Sequence, residues 1–125
     1  MRELRASWPS RGWSWDERLS CVTSTFNVEL AAKARTALEI ALPSEWTSTT
    51  IRRAPPVLGD LAERTGGLRA GQMLLASTMV GPALAYGLWW PWGDGMTTSM
   101  RIGLAGTEAT QDTFLRLREV FGAQV

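Results

Sequence analysis

The chain has 125 residues, 45% of them hydrophobic and 20% charged, with a formal net charge of +1. This length and composition predict one globular domain over residues 1–125, and the interspersed basic and acidic residues argue against nucleic acid as a partner. Histidine is absent and Cys21 is the one cysteine, which excludes His-based catalytic triads and an internal disulfide and leaves no expected metal site.

The N-terminal part of the chain is predicted to be extended. Apolar residues alternate with polar ones over residues 4–8, which favours a short strand that ends at Pro9. From Trp13 to Cys21 the apolar residues fall at odd positions, which predicts a second strand that reaches Thr25. In such a strand Cys21 is expected to be a small buried hydrophobe rather than a nucleophile.

The clearest helix of the sequence follows Asn27. Asparagine is a good N-cap, and residues 28–42 carry apolar side chains at helical spacing. Pro43 is expected to end the helix. The predicted core-facing stripe consists of Leu30, Ala34, Ala37, Leu38 and Ala41.

Two segments leave alternatives open. Residues 44–54 are rich in threonine and β-branched side chains, which predicts either an extended edge segment or a long loop, anchored by Trp46 and Ile51. Residues 68–80 fit either a helix or a strand, and we favour a strand over 73–79 that follows a turn.

Two further helices are predicted from their end signals. The first begins at the proline pair 55–56 and ends at the glycine pair 66–67. The last helix begins after Thr107 or Thr110 and ends at Gly122. Its predicted core-facing residues are Phe114, Leu117 and Phe121.

The stretch from Ala83 to Ala105 is predicted to be a β-hairpin closed at Gly93-Asp94-Gly95. Residues paired across two strands share one face of the sheet. Matching the apolar face of one strand to that of the other therefore fixes the register and requires a three-residue loop. The predicted pairs are Trp92 with Met96, Leu88 with Met100, Tyr86 with Ile102 and Leu84 with Leu104.

The other face of this hairpin is predicted to carry small residues, which are Ala83, Ala85, Gly87, Gly103 and Ala105. Such residues cannot fill a core layer by themselves, so this face is expected to be covered. One candidate cover is a helix or strand of the same chain, and the other is a second copy of the chain. In the second case the interface residues are Ala85, Gly87 and Gly103.

The tryptophan content exceeds what core filling usually requires, with seven in the chain. Trp89 and Trp90 are adjacent and must point to opposite faces of a strand, so at least one lies outside the core of the hairpin. Tryptophan suits protein interfaces and stacking on sugars or bases. Asp94 is either a turn residue that bonds its own backbone or a polar group at the lip of an aromatic pocket. The candidate binding residues are Trp89, Trp90, Trp92, Asp94 and Arg101.

Together these elements predict an α+β domain: a two-layer sandwich of a mainly antiparallel sheet with two or three helices packed on one face. The predicted function is a non-catalytic interaction or assembly module that forms a homo-oligomer, above all a dimer, or binds another protein. The alternative is a small-molecule or carbohydrate-binding protein, or a small enzyme, with a Trp-lined pocket at the hairpin tip. No cofactor, catalytic residue or membrane contact is expected, and an N-terminus without the apolar core of a signal peptide predicts a cytoplasmic location.

Overall fold

The computed structural model of the chain describes residues 2–9, 12–18, 20–77, 83–106 and 111–123. In these residues a six-stranded antiparallel sheet is combined with four α-helices, which confirms the α+β class. The helices are α1 (Arg2–Ser7), α2 (Ala31–Ala41), α3 (Pro56–Arg64) and α4 (Gln111–Phe121). The strands are β1 (Ser14–Asp16), β2 (Cys21–Asn27), β3 (Ser44–Thr47), β4 (Met73–Ala76), β5 (Ala83–Pro91) and β6 (Thr97–Gly106). Across the sheet they follow the order β1-β2-β6-β5-β4-β3.

The sheet has an apolar layer on each of its two faces. The inner face is covered by α1, α2 and α4, whose buried side chains pack on Phe26, Trp89 and Met100. The outer face is covered in part by α3, which packs on Leu74 and Leu88. Three of the four helices therefore pack on one face of the sheet, as predicted. The fourth, α3, adds a layer on the other face because its apolar stripe meets a second apolar surface of the sheet.

The N-terminal segment is a helix, so the predicted strand over residues 4–8 is wrong. Leu4 and Trp8 are four residues apart, which places them on the same side of a helical turn, and both are buried. Trp8 Nε1 also donates a hydrogen bond of 2.9 Å to Ser24 Oγ on β2, which ties α1 to the sheet. A short alternation of apolar residues fits both the strand and the helix period, and here burial of the two large side chains favours the helix.

The extended segment predicted from Trp13 onward is a hairpin rather than one strand. Strands β1 and β2 pair in antiparallel orientation, with Asp16 opposite Cys21, so the chain reverses between these two residues. Ser20 before β2 has a φ of 52°, in the left-handed region. The described residues between the two strands, which are Glu17, Arg18 and Ser20, are polar and lie in turns.

The elements with local start and stop signals are confirmed. The Asn27 side chain caps a 3₁₀ turn that leads into α2, and α3 begins at the predicted proline pair. Residues 44–47 form β3 at the edge of the sheet, which was one of the two alternatives for that segment. Residues 73–76 form β4, so the strand rather than the helix is correct in residues 68–80. Strand β4 ends at Ala76, and Ser77 is not part of it, so the strand is shorter than predicted. Residues 78–79 and the candidate caps Thr107 and Thr110 lie outside the described residues.

The register of β5 and β6 differs from the prediction by one residue. Leu88 lies opposite Arg101, so its predicted pairing with Met100 is wrong. Tyr86 likewise lies opposite Gly103. Leu84 lies opposite Ala105, so three of the four predicted pairs are shifted by the same step. The fourth, Trp92 with Met96, is also wrong, because Trp92 follows the end of β5 and donates its N–H to Thr97 O.

Side-chain size explains this register. The ring of Tyr86 lies against Gly103, where an added Cβ would be 2.5 Å from the tyrosine hydroxyl oxygen. On the inner face Met100 and Leu42 approach Gly87, where an added Cβ would be 2.9 Å from Leu42 Cδ1. Each glycine therefore leaves the space that a large side chain fills. Pairing large residues with large ones would leave no such space.

The shifted register divides the predicted small-residue face between the two faces of the sheet. Ala85 and Gly87 lie on the inner face, whereas Gly103 and Ala105 lie on the outer face. The side chain of Ala83 lies outside the described residues. The prediction that these residues form one face is therefore wrong, and the members on each face pack against side chains of the same chain.

Replacing Gly103 with alanine is expected to lower the free energy of unfolding by about 1–3 kcal/mol, because the added methyl group would displace the buried ring of Tyr86. Gly59 in α3 is the matched control, since nothing lies within 4 Å of a Cβ added there. Gly59→Ala is expected to stabilise the chain by roughly 0.5–1 kcal/mol. Urea denaturation measures both changes. Equal stability of Gly103→Ala and the parent would contradict the register.

Candidate functional site

The predicted binding residues do not line a common pocket, because Trp89 belongs to the core. It lies on the inner face, where it is 7% exposed and its ring centroid is 5.5 Å from that of Phe26. Arg35 of α2 lies over the ring, with its guanidinium carbon 5.6 Å from the centroid. The pocket predicted between Trp89, Trp90 and Trp92 is therefore not formed.

Arg101 and Trp90 lie side by side on the outer face. The guanidinium carbon of Arg101 is 4.5 Å from the ring centroid of Trp90, which is a cation–π contact. Arg101 Nε also lies 3.7 Å from Oδ2 of Asp16 on β1. The guanidinium is thus held between an aromatic ring and a carboxylate, and 19% of the arginine side chain stays exposed.

Trp92 is the exposed tryptophan of this group, with 51% of its surface open to solvent. Its Nε1 donates a hydrogen bond of 2.7 Å to Ser99 Oγ, and the same oxygen lies 3.3 Å from Thr25 Oγ1. The indole is therefore held in one orientation although half of it faces water. We call this group of residues the Trp–Arg surface; it consists of Thr25, Trp90, Trp92, Ser99 and Arg101.

Two further apolar residues lie exposed at the same end of the sheet, Val28 and Met96. Val28 N donates a hydrogen bond of 2.7 Å to Met96 O, which places the two residues next to each other at the hairpin tip. Neither residue was predicted to belong to a site, since Val28 lies outside the predicted helix stripe and Met96 was predicted to pair with Trp92 across the hairpin.

Asp94 holds the loop between β5 and β6. This loop spans residues 92–96, two residues more than predicted, because β5 ends at Pro91 and β6 begins at Thr97. Asp94 Oδ1 accepts hydrogen bonds from the N–H groups of Met96 (2.8 Å) and Thr97 (2.9 Å), and Oδ2 accepts one from the Thr97 hydroxyl (2.8 Å). The Met96 N–H and the Thr97 hydroxyl hold the pKa of Asp94 below its ordinary value. These bonds match the turn role of Asp94.

Cys21 is buried on the outer face of the sheet. Burial, to which the negative charge of Asp16 adds, raises the pKa of its thiol to about 11. Burial also raises the pKa of the neighbouring Tyr86 to about 12. Both groups are therefore neutral at ordinary pH, as expected for a cysteine that fills space.

The predicted interface residues take part in the packing of the chain itself. Gly87 is buried against Leu42 and Met100, and Gly103 is buried against Tyr86. Ala85 is partly buried against the core of the inner face. These three residues therefore contribute to the packing of the chain and do not form an exposed patch.

Comparisons with known proteins give no relative, since no protein-family model, no curated protein and no solved structure matches the chain. Among the described residues no group of three or more His, Cys, Asp or Glu side chains is placed to hold a metal ion. None of the helices in the described ranges is long and apolar enough to cross a membrane. Function is therefore inferred from the Trp–Arg surface itself.

Native Cys21 is expected to react slowly with a thiol reagent at neutral pH, and rapidly once the chain is unfolded, because burial disfavours the thiolate. The folded pKa lies above the ordinary value of 9.0, so the free energy of unfolding is expected to fall as the pH rises from 9.0 towards 11. Stopped-flow labelling and denaturation at several pH values measure both effects. Fast stoichiometric labelling of the native chain would contradict the structural role.

Proposed function

We propose that the protein is a non-catalytic assembly module whose Trp–Arg surface pairs with a second copy of the chain. The observation that carries this proposal is the exposed indole of Trp92, which Ser99 holds in place on the outer face. Helix α3 packs on β4, β5 and the Ala105 end of β6. The Trp–Arg surface lies on β2, β6 and the end of β5; Trp90 packs against the cluster that includes α3, and Thr25 and Trp92 are the exposed members of this surface.

The side chains of the Trp–Arg surface are of types that are typical of a protein contact. Interface centres are enriched in tryptophan and arginine, which combine a large apolar area with hydrogen-bond donors. Trp92 supplies an exposed ring whose orientation is fixed by Ser99. A fixed side chain loses little conformational entropy when a partner covers it. The exposed Met96 and Val28 add apolar area at the same end of the sheet.

The charges on this part of the face favour a second copy as the partner. Arg101 and Asp16 place one charge of each sign on the same surface, 3.7 Å apart. In a two-fold contact a patch meets its own copy, so the patch must be complementary to itself. An arginine next to an aspartate meets this requirement, because each group of one copy can face its opposite in the other copy. A partner with a single sign of charge would leave one of the two groups opposed by a like charge.

A second candidate function, binding of a small molecule or carbohydrate, is favoured by the exposed Thr25 near Trp92. Ser99 is buried and accepts the indole N–H, and Thr25 Oγ1 lies 3.3 Å from the same Ser99 oxygen, so a flat apolar platform and an exposed threonine lie close together. Sugars stack on such rings and accept hydrogen bonds from such groups. This candidate requires Trp92 alone as the platform, because Trp89 lies on the other face of the sheet.

Replacing Trp92 with serine is expected to weaken self-association by roughly 2 kcal/mol, or about thirtyfold in the dissociation constant, which is the usual effect of removing a central tryptophan. Ile40→Ser is the matched control, since Ile40 is 81% exposed but lies on α2, away from the Trp–Arg surface. Trp92→Phe keeps an aromatic ring but loses the indole N–H that bonds to Ser99, and it is expected to retain most of the association. Analytical ultracentrifugation over a range of concentrations measures all four proteins.

A parent protein that sediments as a monomer at every concentration would overturn the assembly proposal. So would equal weakening by Trp92→Ser and Ile40→Ser, because the contact would then lie elsewhere or be nonspecific. In the monomeric case, titration with mono- and oligosaccharides, followed by the fluorescence of the parent and of Trp92→Phe, tests the second candidate.

A further inference from the structure

The loop between β5 and β6 carries two exposed apolar side chains at the end of the sheet. Trp92 begins this loop and Met96 ends it, and each has more than half of its surface open to solvent. Val28, at the end of β2, is exposed as well and is joined to Met96 by a backbone hydrogen bond. We call these three residues the apolar tip.

The Asp94 carboxylate is connected to all three residues of the apolar tip. It accepts the N–H of Met96, and the carbonyl oxygen of Met96 accepts the N–H of Val28 at 2.7 Å. It also accepts the N–H and the hydroxyl of Thr97, and Thr97 O accepts the N–H of Trp92 at 2.8 Å. One intervening residue therefore links the carboxylate to Val28 on one side and to Trp92 on the other.

Side-chain packing does not hold this loop in place. Asp94 lies between Gly93 and Gly95, and nothing lies within 4 Å of a Cβ added at either glycine. Glycine loses more conformational freedom on ordering than any other residue, so these two positions favour a mobile loop. Hydrogen bonds to a carboxylate are stronger than those between neutral groups. The bonds to Asp94 consequently oppose the freedom of the glycines.

Trp92 and Met96 depend on different hydrogen bonds for their positions. The indole of Trp92 is fixed directly by its bond to Ser99. Met96 is carried by the loop backbone, whose N–H at this residue is bonded to Asp94. Loss of the carboxylate is therefore expected to release Met96 and its contact with Val28, whereas the indole of Trp92 keeps its partner.

We propose that Asp94 is a positioning residue for self-association, which acts by holding the apolar tip in the arrangement that the second copy contacts. The inference rests on the proposed function and adds a residue that acts through its own loop. Both carboxylate oxygens of Asp94 are engaged within that loop. A loop that is already ordered loses little conformational entropy when a partner covers it, so the carboxylate raises the affinity without touching the partner.

Replacing Asp94 with alanine tests the inference through two measurements on the full chain. Amide hydrogen exchange of Val28 is expected to become at least about tenfold faster, because its acceptor Met96 O is no longer held. The amide of Glu29, which is bonded to Asn27 Oδ1, is the internal control and is expected to keep its rate. In analytical ultracentrifugation the dissociation constant is expected to rise about tenfold, which is the cost of ordering the loop on association.

Two further variants separate positioning from a direct contact of the charge with the partner. Asp94→Asn keeps an oxygen that accepts the N–H groups of Met96 and Thr97, since asparagine forms the same turn, and is expected to associate as the parent does. Asp60→Ala removes an exposed carboxylate on α3 and is the matched control, with no expected effect. Asp94 is exposed in a loop, so its variants are expected to fold, which ¹H–¹⁵N spectra verify.

Four outcomes would overturn the inference while the proposed function stands. These are equal association of Asp94→Ala and the parent, an unchanged exchange rate of Val28 in Asp94→Ala, loss of the native spectrum in that variant, and equal weakening by Asp94→Asn and Asp94→Ala. The last result would mean that the charge itself contacts the partner. A parent that is monomeric at every concentration would overturn the proposed function and the positioning role together.

Discussion

The packing of large against small residues between β5 and β6 is the constraint on which the rest of the structure depends. Tyr86 occupies the space over Gly103 on the outer face, and Met100 occupies the space over Gly87 on the inner face. A shift of one residue would send every side chain of a strand to the other face. This register therefore decides that Trp89 joins the core under α2.

Much of the fold is encoded locally, and that part is predictable from the sequence. The cap at Asn27, the prolines at 43 and 55–56 and the glycines after α3 each act on the backbone of a few neighbouring residues. Such signals do not depend on what lies across the sheet. The end of α2 before Pro43, the bounds of α3 and the presence of a hairpin over β5 and β6 were accordingly correct, as was the strand choice for 73–76. The start of α2 was not, because residues 28–30 form a 3₁₀ turn and the α-helix begins at Ala31.

What could not be predicted depends on contacts between distant residues. The predicted register matched the apolar faces of the two strands, which assumes that paired side chains have similar size. In the structure Tyr86 instead lies opposite Gly103, and Gly87 lies opposite Ile102. Likewise, the alternation over residues 4–8 does not reveal that Trp8 reaches Ser24 on β2. Of the predicted binding residues, Trp90, Trp92 and Arg101 meet on one face, Trp89 is in the core and Asp94 holds a loop.

The two faces of the same strands carry different parts of the structure. Helix α4 packs on the inner face of β2 and β6, and the outer face of these strands carries Thr25, Ser99 and Arg101. Substitutions within the strands therefore disturb both faces through the shared sheet. Trp92 is exposed and lies outside the two buried clusters of the core, so it can be replaced with the sheet intact. Loss of self-association can consequently be separated from loss of folding at this residue.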